Sequence, residues 1–483
     1  MPETYYNHID GEWTESETGD TFEVVNPADT TDVIGEFQRS SSEDAADAID
    51  AAASARDEWA DKPGPERGAI LTETARRMAS RTEELTETLT REEGKTLTEA
   101  RAEVQRAIDI FEYYGQKAVD FGGEVRQPGR QNMNLYTVSE PMGVAGLITP
   151  WNYPIAIPSW KSAPALATGN TVVIKPANGA PNVLRKVVEC LDESGMPDGV
   201  INYVTGPGSD VGGAIVDHEN VDVVSFTGSR SIGEMVHEQA AAGKKRVQTE
   251  MGSKNTTVVM PSADLEEAAT IVGSGAFGVT GQACTGTERA VVHEDVYEGF
   301  LEELVAYADE LEIGPGLDDP DMGPHFDQDH LEGTLEYVEQ GKEAGGTLEY
   351  GGEALKGEAY DDGHFIEPTI FTDVESDMSI MQEEIFGPFV GVMPVGDFEE
   401  AIELVNDVEF GLASSIVTRD HTEANRFRDD VDFGVVKINE KTTGLQYYVP
   451  FGGMNASSSE TYREQGDAAI DFYTITKTVY ENY

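Results

Sequence analysis

Three residues far apart in the chain have the chemical types needed to make and break a covalent bond to a carbonyl carbon. Cys284 lies in GQACTGTERA, Glu250 lies 34 positions upstream in TEMGSKN, and Asn152 lies in TPWNYP. A thiolate attacking a carbonyl generates a tetrahedral oxyanion, which needs hydrogen-bond donors aimed at it. The Asn152 amide and the Cys284 backbone N–H are candidate donors. Glu250, with its pKa raised by burial at a strand end, is a candidate general base. Each has an ordinary reading when taken alone: Cys284 as an inert core thiol, Glu250 as one solvated carboxylate among 91 acidic residues.

No two of these residues can meet without a folded unit between them. From Gly143 onward, apolar runs alternate with helical segments through GVAGLITP, SWKSAPALATG, TVVIKPA, NVLRKVVECLDESG, INYVTG and VDVVSFTG. That pattern predicts a parallel sheet covered on both faces, whose ligands bind at the carboxyl ends of the strands. A second α/β series begins at NTTVVM and runs through helical stretches at 266–278 and LEELVAYADELEIG to GVVKIN. Upstream, a short hairpin is followed by three helical stretches: 41–60 with a capping box at Ser41 and Asp44, the segment after PGPERG, and ARAEVQRAIDIFEYYGQKA. The C-terminal DFYTITKTVYENY alternates as an exposed strand, an edge that can pair with YTVSEP or with another subunit.

Two strand-to-helix turns and one lysine suggest a phosphate-bearing ligand. GPGSDVG follows INYVT, but its G-x-G-x-x-x-G spacing departs from the dinucleotide fingerprint. In FTGSRSIG, Gly228 and Ser229 can open a helix whose terminal amides meet a phosphate. Lys175 ends the VVIKPA strand, where it can donate to ribose hydroxyls or phosphate. Each is equally readable as an ordinary turn or a solvated strand end.

The 33 basic against 91 acidic residues give a formal charge of −58, spread along the chain. Such a coat excludes nucleic acid and anionic membranes as partners, and it suits a salt-rich medium where the Debye length falls to about 3 Å. At 39% hydrophobic residues the composition is that of a globular protein. Two cysteines give no disulfide framework, and Cys190 falls on a helical apolar face with Val183, Leu184, Val187, Val188 and Leu191, as a buried small hydrophobe. The N-terminus lacks an apolar signal region, and no run reaches the roughly 18 apolar residues of a membrane span. A cytoplasmic protein without a metal site is expected.

Taken jointly, TPWNYP, VIKPA, SFTGSRSIG, TEMGSKN, GQACTGTER, EEIFGP and PFGGMNASSS occur in the order and spacing of the NAD(P)-dependent aldehyde dehydrogenase superfamily, which the chain resembles over nearly its whole length. The resemblance implies an aldehyde dehydrogenase-like α/β fold. A Rossmann-type cofactor domain would comprise 1–119 and 143–250, a catalytic domain 251–465, and a small β bridging element 120–142 and 466–483, with a homodimer or homotetramer as the assembly. It implies that Cys284 attacks an aldehyde, that Asn152 and the Cys284 amide hold the oxyanion, and that Glu250 activates water to release a carboxylic acid. It places Glu384 and Phe386 beside the nicotinamide ribose, Lys175 beside the adenosine ribose, and Gly228, Ser229 and Gly233 near the pyrophosphate. Thr149, Pro150, Trp151, Ala177, Gly208, Gly212, Phe226, Thr227 and Met251 complete the implied cofactor contacts. Tyr153, Trp160, Ala283, Thr285 and Phe451 would line the aldehyde tunnel, and none of these carries a positive charge for a distal carboxylate.

Three departures from the family pattern stand out. Asn178 occupies a position where many NAD-preferring members carry a glutamate, so repulsion of a 2′-phosphate is removed and NADP becomes usable beside NAD, with Lys175 and Arg230 as candidate phosphate partners. Ser253 replaces a glycine. Asn455 and Ser458 replace a common lysine and glycine in a tail, TTGLQYYVPFGGMNASSS, that is similar to the α-ketoglutarate semialdehyde (2,5-dioxopentanoate) dehydrogenases of pentose and sugar-acid breakdown. Oxidation of that semialdehyde to 2-oxoglutarate is the expected reaction. A broad aliphatic or glyceraldehyde-type dehydrogenase is the alternative within enzymes, and a non-catalytic protein of the same fold the alternative outside them.

Overall fold

The computed structural model describes residues 2–483. Local signals set the helices. The Ser41 hydroxyl accepts from the N–H groups of Glu43 and Asp44 while the Asp44 carboxylate accepts from the Ser41 N–H, and this capping box starts the helix Ser42–Asp61. Thr96 and Glu99 form a second capping box at Leu97–Lys117. Between them lie Gly64–Ser80 and Thr82–Glu93; the latter carries few apolar residues and has no counterpart in the sequence reading.

The first large sheet has seven strands in the order Arg246–Glu250, Val223–Thr227, Val144–Ile148, Thr171–Lys175, Ile201–Tyr203, Asn7–Ile9, Glu12–Thr14. The first five are parallel, and almost every residue in them is buried, as strands with helices on both faces require. One face packs Leu71, Phe111, Tyr114 and Leu166, and the other packs Ile49, Ile215 and Val236. Each such buried side chain stabilises the fold by about 1.5–3 kcal/mol.

The second large sheet runs Thr347–Tyr350, Thr369–Thr372, Phe389–Val395, Thr287–His293, Asn255–Val259, Ala413–Val417, Val435–Ile438, with only the first strand antiparallel. A small third sheet pairs Thr474–Asn482 with Met133–Pro141 along nine residues, and adds Val125–Arg126. It leaves Ile475, Tyr480 and Val125 exposed.

Two expectations are corrected. The opening hairpin is five strands: Asn7–Ile9 and Glu12–Thr14 extend the first large sheet, and Thr4–Tyr5, Thr21–Asn26 and Asp29–Gln38 form a sheet of their own. The buried Asn7 side chain fixes this, donating to the Ser40 hydroxyl and accepting from the Thr205 N–H. The division at 466 also falls too early. Helix Gly466–Tyr473 buries Ala469, Ile470, Phe472 and Tyr473 in the first core, so the chain joins the small sheet only at Thr474.

Candidate active site

In the first sheet, strand order reverses between Val144–Ile148 and Val223–Thr227. The chain moves outward on one side through Thr171–Lys175 and Ile201–Tyr203, then resumes on the other side through Val223–Thr227 and Arg246–Glu250. The loops leaving the two central strands therefore diverge and open a crevice at their carboxyl ends. The loop after Ile148 carries Thr149 to Tyr153, the loop after Thr227 carries Gly228 and Ser229 into the helix Arg230–Ala242, and Glu250 is the last residue of its strand.

Cys284 reaches this crevice from the second unit. After helix Leu265–Phe277 the chain turns through Val279, Thr280 and Gly281 at φ of 52°, 54° and 69°. Left-handed backbone is costly for β-branched residues, so surrounding contacts must impose this turn. Glu99 Oε1 accepts from the Val279 N–H at 2.6 Å, and the Thr280 hydroxyl donates to the Gly323 carbonyl at 3.0 Å. At Gly281 any Cβ would stand 1.9 Å from the Gly387 carbonyl oxygen. Beyond the turn, Asn255 Nδ2 donates to the carbonyls of Cys284 and Gly286 at 2.9 and 2.8 Å. Ser253 accounts for its own departure from glycine: its hydroxyl donates to Asn255 Oδ1 at 2.7 Å, and its N–H to Glu384 Oε1 at 2.8 Å.

Asn152 Nδ2 donates to the Gln282 carbonyl at 2.9 Å, two residues before the thiol, leaving its second N–H for an oxyanion. The Asn152 carbonyl accepts from Lys95 Nζ at 2.8 Å, and that buried ammonium pairs with Glu103 at 2.6 Å. The other Glu103 oxygen accepts from the N–H groups of Ile155 and Ala156, at the open end of helix Ala156–Thr168.

Loss of water, then the nearby carboxylates of Glu384, Glu250 and Glu464, push the Cys284 thiol up to about 12. Burial and then Glu288 raise Glu384 to about 8. Glu250 is 2% exposed, and burial followed by Glu464 lifts its carboxyl well above the usual range. Its Oε2 accepts from the Gly453 N–H at 2.9 Å while Oε1 has no partner. Glu464 is held by the Trp160 indole N–H at 2.8 Å and by the Lys161 ammonium.

Two cavities meet at the thiol. One, about 210 Å³, is lined by Pro150, Trp151, Asn152, Thr227, Gly228, Ser229, Met251, Cys284, Glu384 and Phe386. The Trp151 indole stacks on Phe326 at 4.1 Å and meets the Phe386 ring edge-on at 5.6 Å. The other, about 530 Å³, is lined by Tyr153, Trp160, Cys284 and Thr285 together with Arg106, Lys441 and Tyr447. Glu250 lines neither, its carboxylate being turned toward Gly453.

The remaining expected positions surround the first cavity. Phe226 and Gly233 lie beneath it: a Cβ on Gly228 would meet the Phe226 ring at 2.7 Å, and one on Gly233 would meet Met251 at 2.6 Å. Lys175 donates to the Pro176 carbonyl at 2.9 Å, and burial lowers its ammonium to about 8. Gly212 lies against the Lys175 side chain, Ala177 and Asn178 follow that strand half-buried, and Gly208 is exposed at the neighbouring turn. Thr149 Oγ1, Asn178 Oδ1 and Thr227 Oγ1 are buried without hydrogen-bond partners. Orphaned polar atoms around a glycine-lined strand end fit a ligand rich in hydroxyls and phosphates, such as a dinucleotide.

On the substrate side two expectations fail. Ala283 and Phe451, 5% and 3% exposed, lie behind the wall, where Phe451 packs on Trp160 with ring centroids 6.0 Å apart. None of the five expected tunnel residues carries a positive charge, and the cavity takes its cations from Arg106 and Lys441, which the sequence reading did not assign. Arg106 lies three residues after Glu103 and four before Ile110, both buried, so helical periodicity alone places it at the margin of the packed face. Lys95, Asn255 and Glu464 were likewise unassigned from sequence.

A family model described as "Aldehyde dehydrogenase family" matches residues 13–479. The chain is 58% identical to an alpha-ketoglutarate semialdehyde dehydrogenase from Haloferax volcanii, over all of both chains. It is 42% identical to a 2,5-dioxopentanoate dehydrogenase from Saccharolobus solfataricus, over 99% of each. Among solved structures, a betaine aldehyde dehydrogenase from Staphylococcus aureus in complex with NAD+ superposes with a TM-score of 0.96 at 34% identity, covering 99% of this chain and 94% of that one.

Proposed function

The chain belongs to the aldehyde dehydrogenase family, and on that premise we propose that it oxidises the semialdehyde of 2-oxoglutarate, 2,5-dioxopentanoate, to the dicarboxylic acid. It is an NAD(P)-dependent enzyme. One observation carries the reading of the site: Cys284 is the only ionisable side chain common to the walls of both cavities, so a carbonyl entering from one side is presented to whatever fills the other.

The Cys284 thiol, which burial keeps protonated, releases its proton to solvent through the larger cavity as its sulfur adds to the aldehyde carbon, and the oxyanion formed takes the free N–H of Asn152 and the Cys284 backbone N–H. Bound nicotinamide supplies the hydride acceptor. Thr149, Lys175, Asn178, Thr227 and the Gly228–Ser229 turn would hold that cofactor, with Glu384 and Phe386 near its reactive end. Glu250 then takes a proton from water; the hydroxide attacks the thioester carbon, the C–S bond breaks, and the thiolate returns. With a single hydrogen bond on one oxygen and none on the other, the Glu250 side chain is free to swing from Gly453 to the thioester. The same burial that keeps its proton makes it a strong base once that proton is lost.

The neutral Asn178 amide beside Lys175 supports use of NADP at least comparable with NAD. The exposed strand Thr474–Asn482 supports pairing of subunits through the small sheet. The dispersed charge of −58 supports work in a salt-rich cytoplasm. Among the described residues no helix is long and apolar enough to cross a membrane. An aldehyde panel with both cofactors in molar salt tests the whole reading. The highest kcat/KM is expected for 2,5-dioxopentanoate, and a higher value for a neutral aliphatic aldehyde of equal length overturns it.

A further inference from the structure

We infer that Arg106, assisted by Lys441, receives the distal carboxylate of the substrate and so selects ω-oxo acids over neutral aldehydes; this rests on the substrate reading above. Arg106 projects from helix Leu97–Lys117 into the cavity that holds the thiol. One Nη donates to the Leu445 carbonyl and the other to Gln465 Oε1 at 3.2 Å, while Nε is buried without a partner. Among the described residues Arg106 forms no ion pair, in a chain with 91 acidic residues. Burial disfavours the guanidinium charge more than the field of Tyr153 and Glu103 supports it, and with only neutral oxygens as hydrogen-bond partners its environment is completed by an anion.

The acids around that cavity are already committed. Glu103 accepts from Lys95, Ile155 and Ala156, Glu99 from Thr96 and Val279, and Asp109 from Gln105. None pairs directly with Arg106, although the field of Glu103 reaches it. Two lysines reinforce the positive field. Lys441 lines the cavity, and Lys437 donates to the carbonyls of Thr443 and Gly444; burial lowers its pKa, Glu440 opposes that, and Lys441 and Arg106 lie close enough to add to the lowering. Three cations gathered at one mouth in a molecule of charge −58 draw in an anionic aldehyde and present its planar carboxylate to a planar fork. The Trp160 ring, 5.4 Å from the guanidinium carbon, walls the path between that carboxylate and Cys284.

The test compares kcat/KM for 2,5-dioxopentanoate and for pentanal in the wild type, Arg106→Met, Arg106→Lys and Lys441→Gln. The ratio of the two values is expected to fall about 100-fold in Arg106→Met, about tenfold in Arg106→Lys and less in Lys441→Gln, with most of the change in KM. Competitive inhibition by glutarate, which needs no turnover, is expected to weaken in the same order. A parallel fall for both aldehydes in Arg106→Met, or a ratio within threefold of wild type, overturns the assignment. If Arg106→Met does not fold, an unmoved ratio in Arg106→Lys overturns it equally. A wild type with no preference for the acid aldehyde sinks the substrate reading itself; a wild-type preference that survives in the variants sinks only the role of Arg106.

Discussion

The two cavities that meet at Cys284 are made of different material. The smaller rests on consecutive residues at the carboxyl ends of parallel strands, Pro150 to Asn152 after one and Thr227 to Ser229 after another, with Met251, Glu384 and Phe386 closing it. Its ligand-seeking atoms are backbone amides and short hydroxyls that sheet topology places whatever the aldehyde. The larger draws on side chains from helix Leu97–Lys117, helix Ala156–Thr168, the Cys284 loop and the segment 441–447. Its chemistry depends on a few long side chains. One wall is thus generic to the fold and the other particular to the chain, so substitutions should separate into those that hit both sides and those that shift one selectivity alone.

The largest effect belongs to the shared wall. Cys284→Ala removes the nucleophile, and NAD(P)H production is expected to vanish with every aldehyde and either cofactor. Turnover persisting with any aldehyde would mean that the thiol is not where the cavities cooperate.

Glu250→Gln should split the reaction in time. The oxidation step does not need the carboxylate, so a single burst of NAD(P)H, approaching one per active site, is expected, followed by steady turnover slower by about 10²–10⁴-fold. In the wild type, steady turnover should rise with pH above the usual carboxylate range, as Glu250 loses its proton. Burial holds the proton on Glu250 well above the usual carboxylate range, and only the deprotonated form can take a proton from water. Rapid-mixing traces across pH check both. A flat profile with an unchanged burst would remove Glu250 from hydrolysis.

Asn178→Glu confines the change to the generic wall. A carboxylate beside Lys175 would hold ribose hydroxyls and repel a 2′-phosphate, so the NADP-to-NAD efficiency ratio is expected to fall about 10–100-fold. The ranking of aldehydes should not move. A strong NAD preference already present in the wild type would refute the reading of Asn178, and a reordered aldehyde ranking would show that the two walls are not independent.

The same division explains what could be read from sequence. Strand ends are legible because an apolar run followed by Pro, Gly or Asn fixes both the strand and the turn, so TVVIKPA and VDVVSFTG locate Lys175 and Gly228 without knowledge of the rest. Helix Ser42–Asp61 was legible from its capping box for a similarly local reason. Arg106 was not, because its partners Leu445 and Gln465 are 339 and 359 positions away and an arginine on a helix reads first as solvated. Ala283 and Phe451 were assigned to the wall by position in a motif, yet motif position does not say which way a side chain faces. The left-handed Val279 and Thr280 contradict local preference outright, and only the contacts of Glu99, Gly323 and Gly387 make that turn intelligible.

The smallest effect probes the hinge that carries the thiol between the two walls. Asn255→Ala deletes two donors, leaving the carbonyls of Cys284 and Gly286 buried and unpaired at a cost of about 1–3 kcal/mol. It also frees the Ser253 hydroxyl and the Ala413 N–H, both of which donate to Asn255 Oδ1. The loop should relax away from a position that the strained 279–281 turn already disfavours, displacing the sulfur relative to Asn152. An about tenfold fall in kcat is expected, equal for 2,5-dioxopentanoate and pentanal and equal for NAD and NADP, because the loop belongs to both cavities. Asn255→Asp tests the geometry against the charge: it keeps the acceptor for Ser253 and Ala413 but places a carboxylate against the Cys284 carbonyl, so it should be the worse variant. Either selectivity ratio moving more than threefold in Asn255→Ala would show that the loop belongs to one wall rather than to both.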